Sequence, residues 1–402
     1  MEEDKKKEKM RKVYLDHIAS TPLHPEVFEA MLPHLKENFG NPQSLHSVGQ
    51  EALRAVEEAR EKVAQLIHSR ASEVYFTSSG SESNNFALKG LALAQRSRGT
   101  HIVLSAVEHQ SVLHSAKSLD KLGFSTSLVP VDEFGMVDPG EVKKAITQET
   151  VLVSVMLANS EVGTLQPVQE IAEVCRARDV LFHTDAVAAV GNVPVNVSEL
   201  GIDALSLAGN QFYGPKGSAA LFVKKGIRIL PFIDGGIQEG GRRAGTEDVA
   251  AIVGLGKAAE LAMRDMEKRA EAARPLRDRL IQELPQRVDH VFLTGHTEKR
   301  LPHHASFCIE FIEGEAMLLN LDMQEISASS GSACTSKALK ASHVLLAMGI
   351  DHALAQGSLV FSLIEDTTSE DIDYLLEVFP PVIERLRKMS PLYTKYLEEK
   401  EK

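Results

Sequence analysis

Cysteine is scarce in this 402-residue chain: it occurs three times, at Cys175, Cys308 and Cys334, widely separated and without a C-x-x-C pair. A dispersed, odd set excludes a disulfide framework and a self-contained zinc site, and it points to a reducing cytoplasm as the compartment. No H-E-x-x-H or other tight ligand spacing appears among the 15 histidines, and His303-His304 reads as a surface pair at a strand start. Long apolar runs are missing too; nothing approaches the roughly 18 residues that a membrane span requires. The opening MEEDKKKEKMRK has no apolar stretch behind it, so residues 1–12 read as a charged, solvated leader. Basic residues are outnumbered, 44 Lys and Arg against 56 Asp and Glu, for a net charge of −12. That balance excludes a general nucleic-acid binder, which needs a clustered basic face.

What the chain does have is core material, 43% hydrophobic residues in a repeating order. EVYFTS (73–78), HIVLSA (101–106), STSLVPV (125–131), VLVSVML (151–157) and VLFHTD (180–185) read as strands, several without the polar alternation of a half-exposed sheet. Helical patterns lie between them. Residues 52–67 place Leu53, Val56, Val63, Leu66 and Ile67 near one face, and 167–179 repeats the pattern after a proline. Alternating strands and helices predict an α/β fold with a large, doubly wound, mostly parallel sheet. From about residue 250 the texture changes to a long helical pattern with Pro275 inside it, then a strand at 305–311 and an amphipathic helix at 369–389. The expected division is a large domain over 13–255, and a connecting helix with a smaller α+β domain over 256–402 that carries the Cys334 loop. The tail from 390 reads as a solvated end.

SSGSESNN (78–85) follows a strand and opens a helix. Gly80 permits a tight turn, and the first helical N–H groups with Ser81 suit an anion; the same residues also suit a serine-capped helix start with Glu82 in its first turn. GGIQEGG (235–241) lacks phosphate-loop spacing and reads as a bent contact loop between subunits. Taken together, YLDHIASTP (14–22), GNPQSLH (40–46), FTSSGSESNN (76–85), VEHQSVL (107–113), ANSEVGTLQP (158–167), HTDAVAAVG (183–191), YGPKG (213–217), GGIQEGGRRAGTED (235–248) and SSGSACTS (329–336) resemble the cysteine desulfurases of the NifS/IscS type, in the class V aminotransferase superfamily. The resemblance runs from about residue 13 to 390. It implies the fold-type I architecture of pyridoxal-phosphate (PLP) enzymes, a homodimer with active sites near the subunit boundary, and a place in iron–sulfur cluster assembly and sulfur transfer.

Carried over position by position, the resemblance puts Asp185 against the PLP pyridine nitrogen and His109 on its ring. Gly80, Ser81 and Thr246 fall at the phosphate, Thr246 from the neighbouring subunit, and Cys334 on the loop that accepts sulfur. Other positions depart from the family pattern. Ala208-Gly209-Asn210-Gln211 stands where the family reads S-x-H-K, so the Schiff-base lysine is replaced by Gln211 and a phosphate-contacting histidine by Asn210. Ala188 replaces a glutamine that bonds the cofactor ring, Ser160 an asparagine, and Val360 the arginine that grips the substrate carboxylate. An amide cannot form an aldimine, because its nitrogen lone pair is delocalised into the carbonyl. Lys216 lies beyond a Gly-Pro turn, where the family already has a lysine besides the catalytic one, and is no substitute.

These losses share one functional address. The expected protein is a desulfurase-like homodimer with PLP absent or non-covalently held, unable to desulfurate free cysteine. It would work through Cys334 as persulfide acceptor or as the thiolate of an iron–sulfur cluster shared with a scaffold or sulfur-acceptor protein. Two alternatives stay open: an enzyme acting on an altered substrate with non-covalent PLP, and a regulatory pseudo-subunit of an active homologue. Cys175 and Cys308 read as small core residues. No nucleic-acid or membrane partner is expected.

Overall fold

The apolar runs form the strands that their patterning predicts in the computed structural model, which describes residues 11–331 and 341–400. In chain order the strands are β1 Val13–Tyr14, β2 Val74–Thr77, β3 His101–Ser105, β4 Ser125–Val129, β5 Thr150–Ser154, β6 Leu181–Asp185, β7 Ala204–Ala208, β8 Ala219–Val223, β9 Val291–Leu293, β10 His304–Ile309, β11 Ile326–Ser327 and β12 Ser358–Ser362. Seven of them make one sheet in the order β2-β8-β7-β6-β5-β3-β4. All run parallel except β8, which is antiparallel to both of its neighbours. Every residue of β3, β5, β7 and β8 is buried, whereas the edge strand β4 is largely open to solvent, with only Val129 buried.

Burial on both faces follows from helices on both sides. Within β3, Val103 joins one core with Val56 and Val63 of the helix Ser47–Leu66. Its neighbours Ile102 and Leu104 join the opposite core with Phe86, Leu88 and Leu91 of the helix Gly80–Ala94. This is strand alternation with two apolar faces, which is why the sequence shows continuous runs there.

The helix Val249–Arg287 is 39 residues long and starts on an Asp248 cap that accepts from Ala251 N at 3.0 Å. Its first half contributes Leu255 and Leu261 to the large core; its second half contributes Ala273, Leu280 and Leu284 to a separate one. That second core is built on the antiparallel sheet β12-β10-β9 and the amphipathic helix Ser369–Met389. The chain start belongs there as well: β1 pairs with β11, and Val13 and Leu15 are buried in the same cluster. A bridging cluster brings Val107, Met156 and Val162 against Cys308, Val344 and Met348.

Three local readings change. His303 and His304 are buried, not a surface pair, because β10 is the middle strand of its sheet and the turn after Asn159 covers its start. His304 Nε2 meets Ser160 O at 3.0 Å, and burial holds the His303 imidazole down to about 4. The leader is not wholly free, since Arg11 contacts Asp371 and donates to Thr368 Oγ1 at 2.9 Å; residues 1–10 lie outside the described residues. The tail folds as the helix Pro391–Lys400, whose Tyr396 ring sits 4.9 Å from Phe311 and 5.1 Å from His290.

The two long helices meet at Gly256, where an added Cβ would lie 2.6 Å from Ala59 Cα, a backbone atom that cannot swing aside. Gly256→Val is expected to cost about 2 kcal/mol of stability by overpacking, read as a lower urea midpoint at unchanged slope.

Candidate functional site

In an open parallel sheet, loops at the carboxyl ends of the strands gather in one crevice. Here β2 leads into the helix that begins at Gly80, β3 into Glu108 and His109, β6 ends on Asp185, and β7 runs into the turn Gly209–Gln211. The fold therefore brings most of the sequence-selected residues to one end of the sheet.

Asp185 is buried and accepts from Val187 N at 3.0 Å and from Asn84 Nδ2 at 2.6 Å. The same Asn84 amide donates to Ser111 Oγ at 2.9 Å, and Ser111 Oγ lies 2.7 Å from His109 Nδ1. A hydrogen-bonded chain thus runs from the strand-end carboxylate to the imidazole that caps the helix Gln110–Asp120. Burial raises the Asp185 pKa, opposed by His109 and by the two hydrogen bonds. Asn84 and Ser111 were not singled out from sequence; their only signal was membership in SSGSESNN and VEHQSVL.

At the helix opening, Ser79 caps Glu82 N at 3.1 Å, and the Glu82 carboxylate takes Ser78 N at 2.9 Å and Arg243 Nε at 2.8 Å. Two donors that an anion would meet are already used, while Ser81 stays exposed. The capped-helix reading and the anion reading therefore share one structure, with the cap formed.

Gln211 closes a short 3₁₀ turn, held by Gly209 N to Ser218 O at 2.9 Å and Gly214 N to Gly209 O at 2.8 Å. A Cβ on Gly209 would come within 2.6 Å of Ser218 Oγ, which explains the glycine. The Gln211 side chain is buried and donates from Nε2 to Ile18 O at 3.0 Å. Asn210 receives Thr21 N on its carbonyl at 2.9 Å. Ala188 is buried beside them, its carbonyl 3.2 Å from Asn192 Nδ2. Lys216 is exposed, five residues beyond.

A cavity of about 140 Å³ opens next to this crevice. Asp16, Glu108, Glu161, His109, His343 and Val360 are among its walls. Val360 is buried in β12, tied to Ser329 by backbone bonds of 2.7 and 3.1 Å. Burial pushes the Glu108 carboxyl up to about 8 and that of Glu161 to about 7, although Ser105, Met156 N and Ser342 donate to them. Neither glutamate was predicted; each sits beside a residue that was.

Thr246 is exposed at the end of the glycine-rich loop. That loop is bent, with Glu239 at φ 47° and its carboxylate on Arg60 Nη1 and Nη2 at 2.7 and 2.9 Å. Cys334 lies outside the described residues. Cys175 and Cys308 are buried, and desolvation pushes both thiols up to about 12. Among the described residues no group of three or more His, Cys, Asp or Glu could hold a metal ion, and no helix is long and apolar enough to cross a membrane.

A seven-stranded, mostly parallel sheet with a small second sheet and a strand-end carboxylate in the crevice defines a fold-type I protein of the PLP-enzyme class. Residues 13–375 match the aminotransferase class-V family, and the chain belongs to it. Within that family it is IscS/NifS-like. It is 50% identical over 381 residues to the cysteine desulfurase IscS of Dictyoglomus turgidum, covering 95% of this chain and 97% of that one. It is 49% identical over 393 residues to the cysteine desulfurase IscS of Clostridium botulinum, covering 97% and 99%. A solved NifS-like protein superposes with a TM-score of 0.88 at 35% identity, over 94% of this chain and all of that one.

PLP is the cofactor that the family resemblance implies, and the donor set can be tested against it. The residues present do not fit covalent attachment. Position 211 has no amine, and its amide is already bonded to Ile18 O. Asn210, Ala188 and Ala208 supply none of the contacts that the family pattern places there.

Glu108 gives a pH test. With its pKa raised from 4.5 to about 8, the folded chain keeps a proton that the unfolded chain releases. Its contribution to stability is complete below the unfolded pKa and is lost as pH rises through about 8. Buried His17 and His183, held to about 4 and about 3, act in the opposite sense, so the glutamate is isolated by comparison with Glu108→Gln. Between about pH 5 and about pH 8, the unaltered protein is expected to lose on the order of a few kcal/mol relative to that variant, measured by urea unfolding at each pH.

Proposed function

We propose that this chain is a desulfurase-like homodimer that serves sulfur transfer or iron–sulfur cluster assembly, without PLP-dependent desulfuration of free cysteine. The observation that carries the reading is the buried Gln211 amide, bonded to Ile18 O where the family pattern calls for a free amine. Val360 adds to it: an isopropyl group on a buried strand offers a substrate carboxylate desolvation and no charge.

The working atom in this reading is the Cys334 sulfur. Its thiolate attacks the outer sulfur of a persulfide donor; the new S–S bond forms as the donor's S–S bond breaks, and the donor leaves as a thiolate. No net oxidation is needed and no PLP takes part. A scaffold or acceptor protein then takes the sulfur by the same exchange, or Cys334 supplies one thiolate to a shared cluster. A homodimer is supported by apolar side chains left open near Thr246 in sequence and on the 38–48 loop, with Ile237 76%, Phe39 83% and Leu45 94% exposed. Cytoplasmic residence goes with the free thiol chemistry.

Addition of PLP to the purified protein is expected to give no aldimine absorbance band and no stoichiometric adduct after borohydride reduction, read by intact mass. A saturating visible band would establish the alternative with non-covalent cofactor. Gln211→Lys alone is expected to capture PLP weakly and release little alanine, because Val360 and Ala188 remain; robust turnover by that variant overturns the reading.

Cys334→Ala is expected to abolish sulfur loaded from a low-molecular-weight persulfide, measured by cyanolysis. Unchanged loading would make Cys334 a bystander.

A further inference from the structure

We infer that the cavity beside Val360 takes a small primary amine lacking a carboxylate. This rests on the reading above, in which the cysteine site is dismantled, and deepens it by naming what that site now accepts.

The cavity walls carry three carboxyl groups, Asp16, Glu108 and Glu161, and no arginine or lysine among the described residues. One imidazole on the wall is committed at both ring nitrogens and the other at one. His343 Nε2 meets the Glu108 carbonyl at 3.0 Å while its Nδ1 faces Gln110 Nε2 at 3.1 Å, which assigns one donor and one acceptor to a neutral ring. His109 Nδ1 accepts from Ser111 N at 3.1 Å. A ligand carboxylate entering here would face three carboxyl groups, with no arginine or lysine among the described wall residues to receive it.

An ammonium group meets the reverse situation. Glu108 is fully buried, and its Oε2 has no hydrogen-bond partner; Asp16 Oδ1 is likewise buried and unpartnered. Asp16 and Glu161 are only half-buried, so they can touch a ligand while Glu108 lies behind them. A buried acceptor without a donor is unfavourable, and ammonium N–H groups answer the unpartnered oxygens of Glu108 and Asp16. The lining also holds neutral polar side chains, Gln110, Asn159 and Ser329 among them, and an apolar part, Ile18, Val107, Met156, Val344 and Val360, that suits a short carbon chain. Burial raises the pKa of both glutamates, and a cation bound beside them would favour their charged form.

The test compares cysteamine with L-cysteine, which differ by the carboxylate alone, using calorimetry on the full-length protein without added PLP. Ethanolamine and L-serine repeat the comparison without a thiol. The amines are expected to bind saturably and roughly tenfold or more tighter than the amino acids. Glu161→Gln should weaken amine binding by a similar factor, and Val360→Arg, if it folds, should reverse the preference. Amino acids binding as tightly as the amines to the unaltered protein, or no saturable heat with either amine, overturns the inference. Absorbance after separate PLP addition tells the two failures apart. A colourless protein without amine preference overturns this inference alone; an aldimine band with amine preference intact overturns the functional reading alone.

Discussion

A carbonyl partly withdrawn from water needs a donor, and at Ile18 that donor is the Gln211 side chain. The bond sits in the middle of a strip of backbone that holds the two cores together. Val13 N reaches Glu325 O at 2.9 Å, Leu15 N reaches Ser327 O at 2.8 Å, and Ile18 N reaches Ser362 Oγ at 2.7 Å, all within the small core's sheets. Three residues later, at Thr21, the strip turns to the large sheet, through Thr21 N to Asn210 O at 2.9 Å and Tyr213 N to Thr21 Oγ1 at 2.7 Å. The Gln211 amide is the side-chain link at the changeover. It has two polar ends and no charge, so it can be buried at a modest cost that a lysine ammonium would exceed. An amide side chain can form no imine, and at this position it supplies a structural bond.

The electrostatics around the crevice follow from a related shortage. Asp185, Glu108 and Glu161 are acidic groups withdrawn from water. Buried carboxyls resolve their charge by pairing with a cation, by accepting hydrogen bonds, or by keeping a proton. Asp185 uses the second route through Asn84 and Val187 N. The two glutamates lean on the third, even with donors present, because burial disfavours their charged form.

Much of the architecture was legible because burial on two faces writes itself as unbroken apolar runs, as in HIVLS and TVLVS. The helix at 369–389 was equally plain, its apolar residues recurring at helical spacing. Individual environments were less so. His303-His304 looked solvent-facing because nothing local reveals that a turn from 140 residues earlier closes over them. Family motifs marked Asp185, His109, Gln211 and Val360 as candidates, and the strand ends bring Asp185 and His109 into one crevice. Nothing local marked Asn84, Ser111 and Glu161, whose contacts depend on which side chain from another element lies opposite. Thr246 stands exposed.

Thiol chemistry narrows by the same physical argument. A sulfur acceptor must reach the thiolate form, and exposure or a nearby cation is what makes that possible near neutral pH. Cys175 lies inside the helix Val168–Ala177 with the large core around it, and desolvation together with Asp203 pushes its thiol up to about 12. Cys308 is fully buried in the middle strand of the small sheet, and desolvation alone takes it equally far. Both would have to leave the core to react, and the strands and helices that hold them are the ones that hold the fold. The third cysteine, Cys334, lies outside the described residues, in a stretch of Ser, Gly and Ala.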